Sequence, residues 1–321
     1  MKKIVNYSAV ALVFLLSIFL SSCNKDNSVE PTELTDEQFM QLVINSGYSG
    51  TVTDEDNLMS QEISDLDTGA VSDDGGSLSP IDTLKKWGRK ITGVNVNYQI
   101  TGNDSLKYIA VTRTISGNYI IIGYVGGVLQ TITKPYKEVL NRNIVFKRID
   151  RSPKPRYNWR VYQVSNLSGG TTEPQVGSQH EQINKVEVYK NGASTPAYTI
   201  IGPEFQNSYW TTMRFGGAGI PVFSRGDQVH VKIYVNSTSP TPNDIVAFHW
   251  ARNSFGFHRV PFAYEGMSGT DRVYSKTYTI YNQHKYGNHN AYFSASTHES
   301  LYDDDVTKFA STEVGIPYRI Q

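Results

Sequence analysis

The sequence has 321 residues with 30 basic and 30 acidic side chains, 21 tyrosines and a single cysteine. One cysteine excludes an intramolecular disulfide, so burial and hydrogen bonding must stabilise the fold. The length is sufficient for one or two domains with their own cores, and the abundance of tyrosine favours β-structure.

The N-terminus has the composition of an export signal. Lys2 and Lys3 precede the apolar run AVALVFLLSIFL at residues 9–20. A short basic region followed by about a dozen apolar residues is typical of a secretory signal peptide. The run is shorter than the about 20 apolar residues that a membrane-spanning helix needs. The sequence therefore predicts that residues 1–22 are removed after export.

The end of this segment, Leu20-Ser21-Ser22-Cys23, resembles the lipobox of bacterial lipoproteins. The resemblance implies that diacylglycerol is attached to the thiol of Cys23, that the chain is cut before Cys23, and that acyl chains anchor the protein in a membrane. Two or more acyl chains give stable anchoring. The residue after the cysteine is Asn24 rather than aspartate, which favours the outer membrane; which face of that membrane stays open. The alternative is an ordinary cleaved signal in which Cys23 is incidental.

Charge is distributed unevenly along the chain. Residues 24–84 carry 14 acidic side chains and a single basic one, Lys25, whereas residues 85–321 carry 27 basic and 16 acidic side chains. Such asymmetry indicates an acidic tail with a basic binding surface, or an acidic tether that keeps its distance from an anionic membrane. Export from the cytoplasm argues against a nucleic-acid partner.

The first half of the mature chain predicts a small α+β domain over residues 36–165, after a polar tether at residues 23–35. Thr35 and Gln38 form a capping box that starts a helix over residues 36–46, and Ser79-Pro80 predicts a second helix over residues 80–91. From Val94 the pattern alternates with the period of strands. A helix or two beside a curved antiparallel sheet resembles an NTF2-like cone.

The second half predicts an antiparallel β-sandwich. The small and polar segment 166–179 is the predicted domain boundary, and short strands with turns between them follow to the C-terminus. Regular strands without helical periodicity are typical of a sandwich. The expected domain, residues 166–321, resembles an immunoglobulin or fibronectin domain in architecture only. The predicted fold class is therefore mainly β, with an α+β unit followed by an Ig-like sandwich.

No catalytic motif is present in the sequence: it lacks HExxH, GxSxG and a P-loop. Histidines are concentrated in the C-terminal third, and three aspartates are consecutive at Asp303, Asp304 and Asp305. Oxygen ligands in a loop suit calcium, so the triple aspartate is the candidate metal site. The alternative is a solvated charged loop, and no other cofactor is predicted.

A basic and aromatic cluster is the candidate ligand-binding surface. Its proposed members are Arg148, Arg151, Arg156, Tyr157 and Trp159. Arginine pairs with phosphate or carboxylate, and aromatic rings stack on sugars or cations. The cluster predicts contact with an anionic glycan or a lipid headgroup. The alternative is a basic face that compensates the negative charge of the acidic segment 24–84 of the same chain.

These features predict a lipid-anchored cell-envelope protein that binds or scaffolds an envelope component and is not an enzyme. The alternatives are a carbohydrate-binding or carbohydrate-active lipoprotein and a surface adhesin. A hydrolase would need a groove with two facing carboxylates, and an adhesin would show calcium-dependent stability.

Overall fold

The computed structural model describes residues 34–46, 80–211, 219–251 and 257–321. The predicted signal peptide, Cys23 and the tether up to residue 33 lie outside these residues. Within the described part, no helix is both long and apolar enough to cross a membrane.

The described chain is mainly β, with 16 strands and few helices. The helices are α1 (Asp36–Ser46), α2 (Pro155–Asn158), α3 (Gly177–His180) and α4 (His298–Tyr302), with a 3-10 turn at Phe205–Asn207. The strands are β1 (Ile81–Gly102), β2 (Leu106–Val125), β3 (Val128–Arg148), β4 (Trp159–Ser165), β5 (Leu167–Glu173), β6 (Glu181–Lys190), β7 (Tyr198–Ile201), β8 (Tyr209–Thr211), β9 (Val222–Phe223), β10 (Gln228–Ser237), β11 (Ile245–Ala251), β12 (Phe257–Pro261), β13 (Ala263–Ser268), β14 (Asp271–Thr279), β15 (Gly287–Ser296) and β16 (Ser311–Ile320).

Helix α1 confirms the first predicted helix and its capping box. The backbone N–H of Gln38 donates to Thr35 Oγ1 at 3.2 Å, and the N–H of Thr35 donates to Gln38 Oε1 at 2.9 Å. The helix buries Phe39, Met40, Val43 and Ile44 against β2, β3 and β4. Helix α1 therefore covers one end of the long strands.

The second predicted helix is wrong, because residues 81–102 form the edge strand β1. Irregularities in its pairing with β2 interrupt the simple alternation near Thr83, Lys86 and Gly93. Trp87 is nevertheless buried on the inner side and Arg89 follows it there, two residues along. A strand with several irregularities loses the clean period of two in its sequence, which is why the segment resembled a helix.

Strands β1, β2 and β3 form two long hairpins. Gly126 and Gly127 connect β2 to β3 with positive φ angles of 56° and 78°. Two consecutive residues with positive φ make the tight hairpin turn that suits the twist of the flanking strands. The Gly-Gly interruption in the sequence is thus a turn between strands of 20 and 21 residues.

The glycine-rich segment after residue 165 is a strand rather than a loop. β5 pairs with β3 on one side and with β16 on the other. A Cβ atom at Gly169 would lie 2.0 Å from the carbonyl oxygen of Val139, and one at Gly170 would lie 2.5 Å from that of Ser311. Only glycine allows the backbones to approach so closely. The division of the chain into domains 36–165 and 166–321 stays a prediction.

The strands form two antiparallel sheets. The larger, of 11 strands, curls into a half-barrel in the order β1-β2-β3-β5-β16-β15-β11-β12, with β4, β8 and β9 beside this path. The smaller has five strands in the order β13-β14-β10-β6-β7. The short strands predicted between residue 180 and the C-terminus are found wherever the chain is described, but their number is larger than predicted. β5, in the predicted boundary segment 166–179, and the two-residue β9 were not predicted, and residues 257–265, predicted as one strand, belong to two, β12 and β13.

An apolar core fills the space between the two sheets. From the smaller sheet, Val186, Val231 and Ile233 point into it, and Phe293 and Val314 come from the larger sheet. The other face of β15 and β16 carries polar side chains, including Tyr292 and Glu313, and belongs to the inside of the half-barrel. The larger sheet is therefore buried on both faces along β15 and β16.

The two edge strands of the half-barrel meet through one side chain. Arg259 of β12 stacks on the ring of Trp87 in β1 and donates to the Trp87 carbonyl oxygen at 3.1 Å. A cation over an indole face contributes about 0.5–2 kcal/mol. This contact bridges the open side of the curled sheet.

A buried guanidinium joins four strands inside the half-barrel. Arg89 of β1 pairs with Glu138 of β3 at 3.0 Å and with Glu313 of β16 at 2.6 Å. It also donates to the hydroxyls of Tyr292 in β15 and Ser311 in β16, each at 3.2 Å. Both carboxylates are 2% exposed. Their charges are therefore compensated inside the protein rather than by water.

We predict that Arg89→Met lowers the free energy of unfolding by about 3–5 kcal/mol, because it leaves two buried carboxylates without their cation. Urea unfolding followed by circular dichroism measures this change. Adding Glu138→Gln and Glu313→Gln to the variant removes both charges and should restore part of the stability. A wild-type unfolding midpoint for Arg89→Met alone would contradict the proposed role.

Candidate functional site

An apolar cavity of about 130 Å³ opens between the two sheets. Aromatic rings of Phe223, Phe248, Phe293, Tyr278 and Tyr318 form much of its wall. The remaining wall is mostly aliphatic: Val188, Pro221, Val231, Val260, Thr279, Ile280, Tyr281, His284, Ala291 and Ile316 complete it. The local sequence explains the arrangement, because alternate residues of β10, β11, β15 and β16 point into the space between the sheets.

Two histidines lie at one end of the cavity region. His284, which lines the cavity, and His289 have ring centroids 4.3 Å apart in an edge-to-face arrangement. His284 Nε2 lies 3.0 Å from the Tyr318 hydroxyl, and His284 Nδ1 lies 3.1 Å from the Lys285 carbonyl oxygen. A carbonyl can only accept, so Nδ1 carries the proton and Nε2 of the neutral ring accepts from the tyrosine.

Both histidines are held in the neutral form. Burial, with the nearby charge of Arg225, lowers the pKa of His284. Burial and the neighbouring His284 lower the pKa of His289 to about 4. His289 Nε2 donates to the Lys285 carbonyl oxygen at 2.8 Å. Neutral rings at this end keep the cavity compatible with an uncharged ligand.

The cavity has the size and the chemistry to take one small apolar group. In another protein, an engineered cavity of about 150 Å³ lined by aliphatic and aromatic side chains stays dry and binds benzene. Burial keeps both histidine rings neutral, although their hydrogen bonds to the Lys285 carbonyl oxygen oppose this effect on the pKa. An apolar wall of this kind suits the binding of a small apolar group.

A second cluster of carboxyl groups lies at one end of the smaller sheet. Glu181, at the start of β6, is fully buried, and Asp244, before β11, is 6% exposed. The Ser237 hydroxyl lies 2.8 Å from Glu181 Oε1 and 2.9 Å from Asp244 Oδ1. Arg272 pairs with Asp244 at 2.8 Å, and the Tyr274 hydroxyl donates to the same carboxylate. No linear motif in the sequence predicts this pair of carboxyl groups.

The proton of this pair resides on Glu181. Burial, followed by the negative charge of Asp244, raises the pKa of Glu181 to about 9. Arg272 satisfies Asp244, whereas Glu181 Oε2 has no hydrogen-bond partner among the described residues. Both side chains are enclosed, so the pair acts on stability rather than on a substrate. Neutral Glu181 is tolerated in the core, and ionised Glu181 is not.

The basic and aromatic cluster lies in the connection between β3 and β4. Arg151, Arg156 and Tyr157 are exposed, and the Arg156 guanidinium lies 4.7 Å from the centroid of the Tyr157 ring. Arg148 is half-buried and stacks on Trp159 at 5.5 Å. Trp159 itself is 1% exposed and belongs to the core under helix α1. The structure brings these residues together, but Trp159 presents no ring to a ligand.

The three aspartates follow helix α4 in a surface loop. Asp303 Oδ1 accepts from the backbone of Asp305, and Asp305 Oδ1 accepts from the backbone and hydroxyl of Thr307. The buried Lys134 lies beneath this loop and donates to the carbonyl oxygens of Glu299 and Lys308. Burial lowers its pKa to about 8, although the charges of the three aspartates oppose that shift.

No group of three or more histidine, cysteine or acidic side chains in the described ranges is arranged to hold a metal ion. Calcium at Asp303, Asp304 and Asp305 stays a prediction. Among the other histidines, His249 is buried and bonds to Ser294 at 2.8 Å, and His230 bonds to Thr277 at 2.8 Å. These two lie within strands β10 and β11.

Sequence reasoning did not find the cavity. Its walls come from eight strands of two sheets and from the connections between them, and no single segment has a pattern that marks it as part of a cavity. The sequence shows histidines concentrated in the C-terminal third, and the structure brings two of them, His284 and His289, together at the cavity. Their function could not be inferred from spacing alone, because the decisive partner, Tyr318, lies 34 residues further along the chain.

The comparisons with known proteins add no family. No protein-family model matches this chain, no curated protein matches it, and no solved structure matches it. The function must therefore be inferred from this chain's own residues.

We predict that benzene raises the thermal unfolding midpoint of the protein by about 2–4 °C, because a ligand that binds only the folded state stabilises it. Ala291→Leu should abolish this shift, since the larger side chain occupies the cavity. Ala193→Leu, in an exposed turn, is the matched control and should keep it. An unchanged midpoint of the wild type in benzene would contradict the assignment.

We also predict a pH dependence that resides in Glu181. Since its folded pKa is raised from 4.5 to about 9, its contribution to stability is complete below pH 4.5 and is lost as the pH rises towards 9. Relative to Glu181→Gln, the free energy of unfolding of the wild type should fall by about 2–3 kcal/mol between pH 6 and pH 8.

Denaturant unfolding at both pH values measures this difference. Glutamine is neutral at every pH and keeps a hydrogen-bonding group beside Ser237, so the variant should have the flatter profile. Glu204→Gln changes an exposed glutamate and should leave the wild-type profile unaltered. Parallel profiles for wild type and Glu181→Gln would show that Glu181 ionises freely in the folded state.

Proposed function

We propose that this chain is a lipid-anchored protein of the bacterial cell envelope that binds an envelope component and does not catalyse a reaction. The observation that carries the proposal is the leader of residues 1–22, which ends in Leu20-Ser21-Ser22 before Cys23. Basic residues and an apolar run occur in the order of a secretory signal peptide, and the four residues that end at Cys23 resemble the lipobox at which lipid is attached. Acyl chains on Cys23 would hold the protein at a membrane, which we propose to be the outer membrane.

The described residues support a binding role. The intersheet cavity is apolar, and the two histidines beside it are neutral and hydrogen-bonded. Glu138 and Glu313, which face each other across Arg89, are enclosed and paired with it. A glycosidase needs two carboxyl groups that reach a substrate. Carboxylates enclosed around a guanidinium favour a structural role over hydrolysis.

The fold supports the finer architecture that we propose. Helix α1 packed on a curled antiparallel sheet is consistent with an NTF2-like unit in the first half. Two antiparallel sheets with an apolar core between them are consistent with an Ig-like sandwich in the second half. A fold does not by itself imply a function, so the binding role is argued from the sites rather than from this architecture.

Carbohydrate binding is the second candidate function. Two adjacent aromatic residues begin β8, Tyr209 and Trp210, and neighbouring residues of a strand point to opposite faces. Tyr209 is 41% exposed, whereas Trp210 packs against the core and donates from Nε1 to Asn166 at 2.7 Å. An exposed tyrosine beside a polar depression favours sugar recognition and is the reason to keep this alternative.

We predict that the N-terminal peptide of the protein extracted from membranes begins at Cys23 and carries a diacyl or triacyl mass. Mass spectrometry of that peptide measures this directly. The Cys23→Ala variant should lose the modification and leave the membrane fraction. An unmodified Cys23, or wild-type protein in the soluble fraction, would overturn the anchoring proposal.

A further inference from the structure

The outer face of β1 and β2 carries consecutive uncharged polar side chains. Beyond Gly93, the register pairs Asn95 with Thr114, Asn97 with Thr112, Gln99 with Ala110 and Thr101 with Tyr108. Directly paired residues of antiparallel strands point to the same face. The intervening residues Val96, Tyr98 and Ile100 pack into the core under helix α1, so the paired polar residues must face outwards.

Strand β3 extends this surface by two more amides. Asn141 pairs with Thr112, and Asn143 pairs with Ala110. We call the resulting surface the amide face. It consists of Asn95, Asn97, Gln99, Thr101, Thr112, Thr114, Asn141 and Asn143. None of these eight side chains carries a charge, although 19% of the residues of the chain do.

Strand formation does not account for this composition. Asparagine is depleted in strands because it fits poorly on a pleated surface, and natural edge strands are commonly protected by lysine or other charged side chains. β1 lies at the edge of its sheet, yet its outward positions beyond Gly93 are amides and a hydroxyl. A function that needs uncharged polar side chains would explain the composition of the amide face.

Much of the hydrogen-bonding capacity of this face is unused within the described protein. Asn95, Asn97 and Gln99 are exposed, and their side chains make no hydrogen bond to another described residue. Thr112, in contrast, donates to Asn141 Oδ1 at 2.9 Å. Each amide offers two N–H donors and one oxygen acceptor. The face thus presents donors and acceptors in alternation and without net charge.

A depression lies at the end of the amide face nearest Tyr209. Its volume is about 160 Å³, and its lining includes Gln99, Thr101 and Asn143 together with Tyr108 and Tyr209. Tyr108 is 48% exposed and Tyr209 is 41% exposed. Two accessible aromatic rings beside amides and hydroxyls can contact both the apolar C–H surface and the hydroxyl groups of a ligand.

We propose that the amide face and this depression bind a neutral carbohydrate. A sugar is dense in hydroxyl groups that both donate and accept, which matches amides and hydroxyls rather than charged side chains. An anionic ligand would favour arginine or lysine, and a protein partner would favour an apolar centre. Asparagine and threonine are short, so fixing them on binding loses less side-chain entropy than fixing lysine or arginine.

This proposal concerns the carbohydrate alternative and does not depend on the lipid anchor or on the intersheet cavity. The experiment therefore uses the chain from Asn24 to Gln321, which contains every described element and lacks the leader and Cys23. Binding is measured by affinity electrophoresis in gels containing laminarin, yeast mannan, xylan or dextran as neutral probes. A gel containing alginate provides the anionic probe.

We expect at least one neutral polysaccharide to retard the protein. Gln99→Ala and Tyr108→Ala should each weaken that retardation roughly tenfold in dissociation constant, the loss that one hydrogen bond or ring contact represents. Gln130→Ala is the matched control, because Gln130 is an exposed glutamine at the opposite end of the same hairpin. It should bind as the wild type does, and circular dichroism verifies that all variants fold.

Three results would overturn the proposal: no retardation by any of the neutral polysaccharides, retardation that Gln99→Ala and Tyr108→Ala leave unchanged, or retardation by alginate alone. The last result, if Arg151→Ala abolished it, would assign binding to the basic connection between β3 and β4. None of these results bears on the lipid mass at Cys23, so failure here leaves the anchoring proposal standing.

Discussion

The half-barrel depends on one buried cation. Arg89 lies on an edge strand, yet its guanidinium reaches Glu138, Tyr292 and Glu313 on strands far apart in the sequence. Enclosing two carboxylates costs several kcal/mol for each ion unless a cation with several donors satisfies them. Arginine has five such donors. The charge cluster can form only if the sheet curls, because only a curled sheet brings β1 opposite β15 and β16. In turn, the cluster stabilises the curled sheet.

The same sheet also has to serve a second core. Along β15 and β16, one set of alternate residues points into the half-barrel and the other set points towards the smaller sheet. Tyr292 and Glu313 take the first side, and Phe293 and Val314 take the second. The aromatic rings on the second side leave the cavity beside His284. At the far end of the smaller sheet, the core encloses Glu181 in its neutral form, which links stability to pH.

The surfaces divide by the kind of ligand that they suit. The cavity between the sheets is apolar, the connection between β3 and β4 is basic, and the outer face of β1 and β2 is polar without charge. The acidic segment 24–84 does not compete with a neutral, hydroxylated ligand, because its negative charge does not attract it to uncharged amides. A basic surface, in contrast, would attract that acidic segment at low ionic strength. This difference favours the amide face as a binding surface.

Local sequence determined several features by itself. The capping box of Thr35 and Gln38 and the alternating strands of the second half follow from short-range rules, since each involves residues within a few positions of one another. The leader ending at Cys23 is likewise an interpretation of sequence, and it stays a prediction. The helix expected at residues 80–91 was wrong because irregular pairing hides the period of a strand.

Only the tertiary structure decided that Gly169 and Gly170 lie between β3 and β16, that Trp159 is buried, and that the cavity and the amide face exist. Each of these depends on which distant strands become neighbours, and that choice is made by packing and charge compensation over the whole chain rather than by any local pattern.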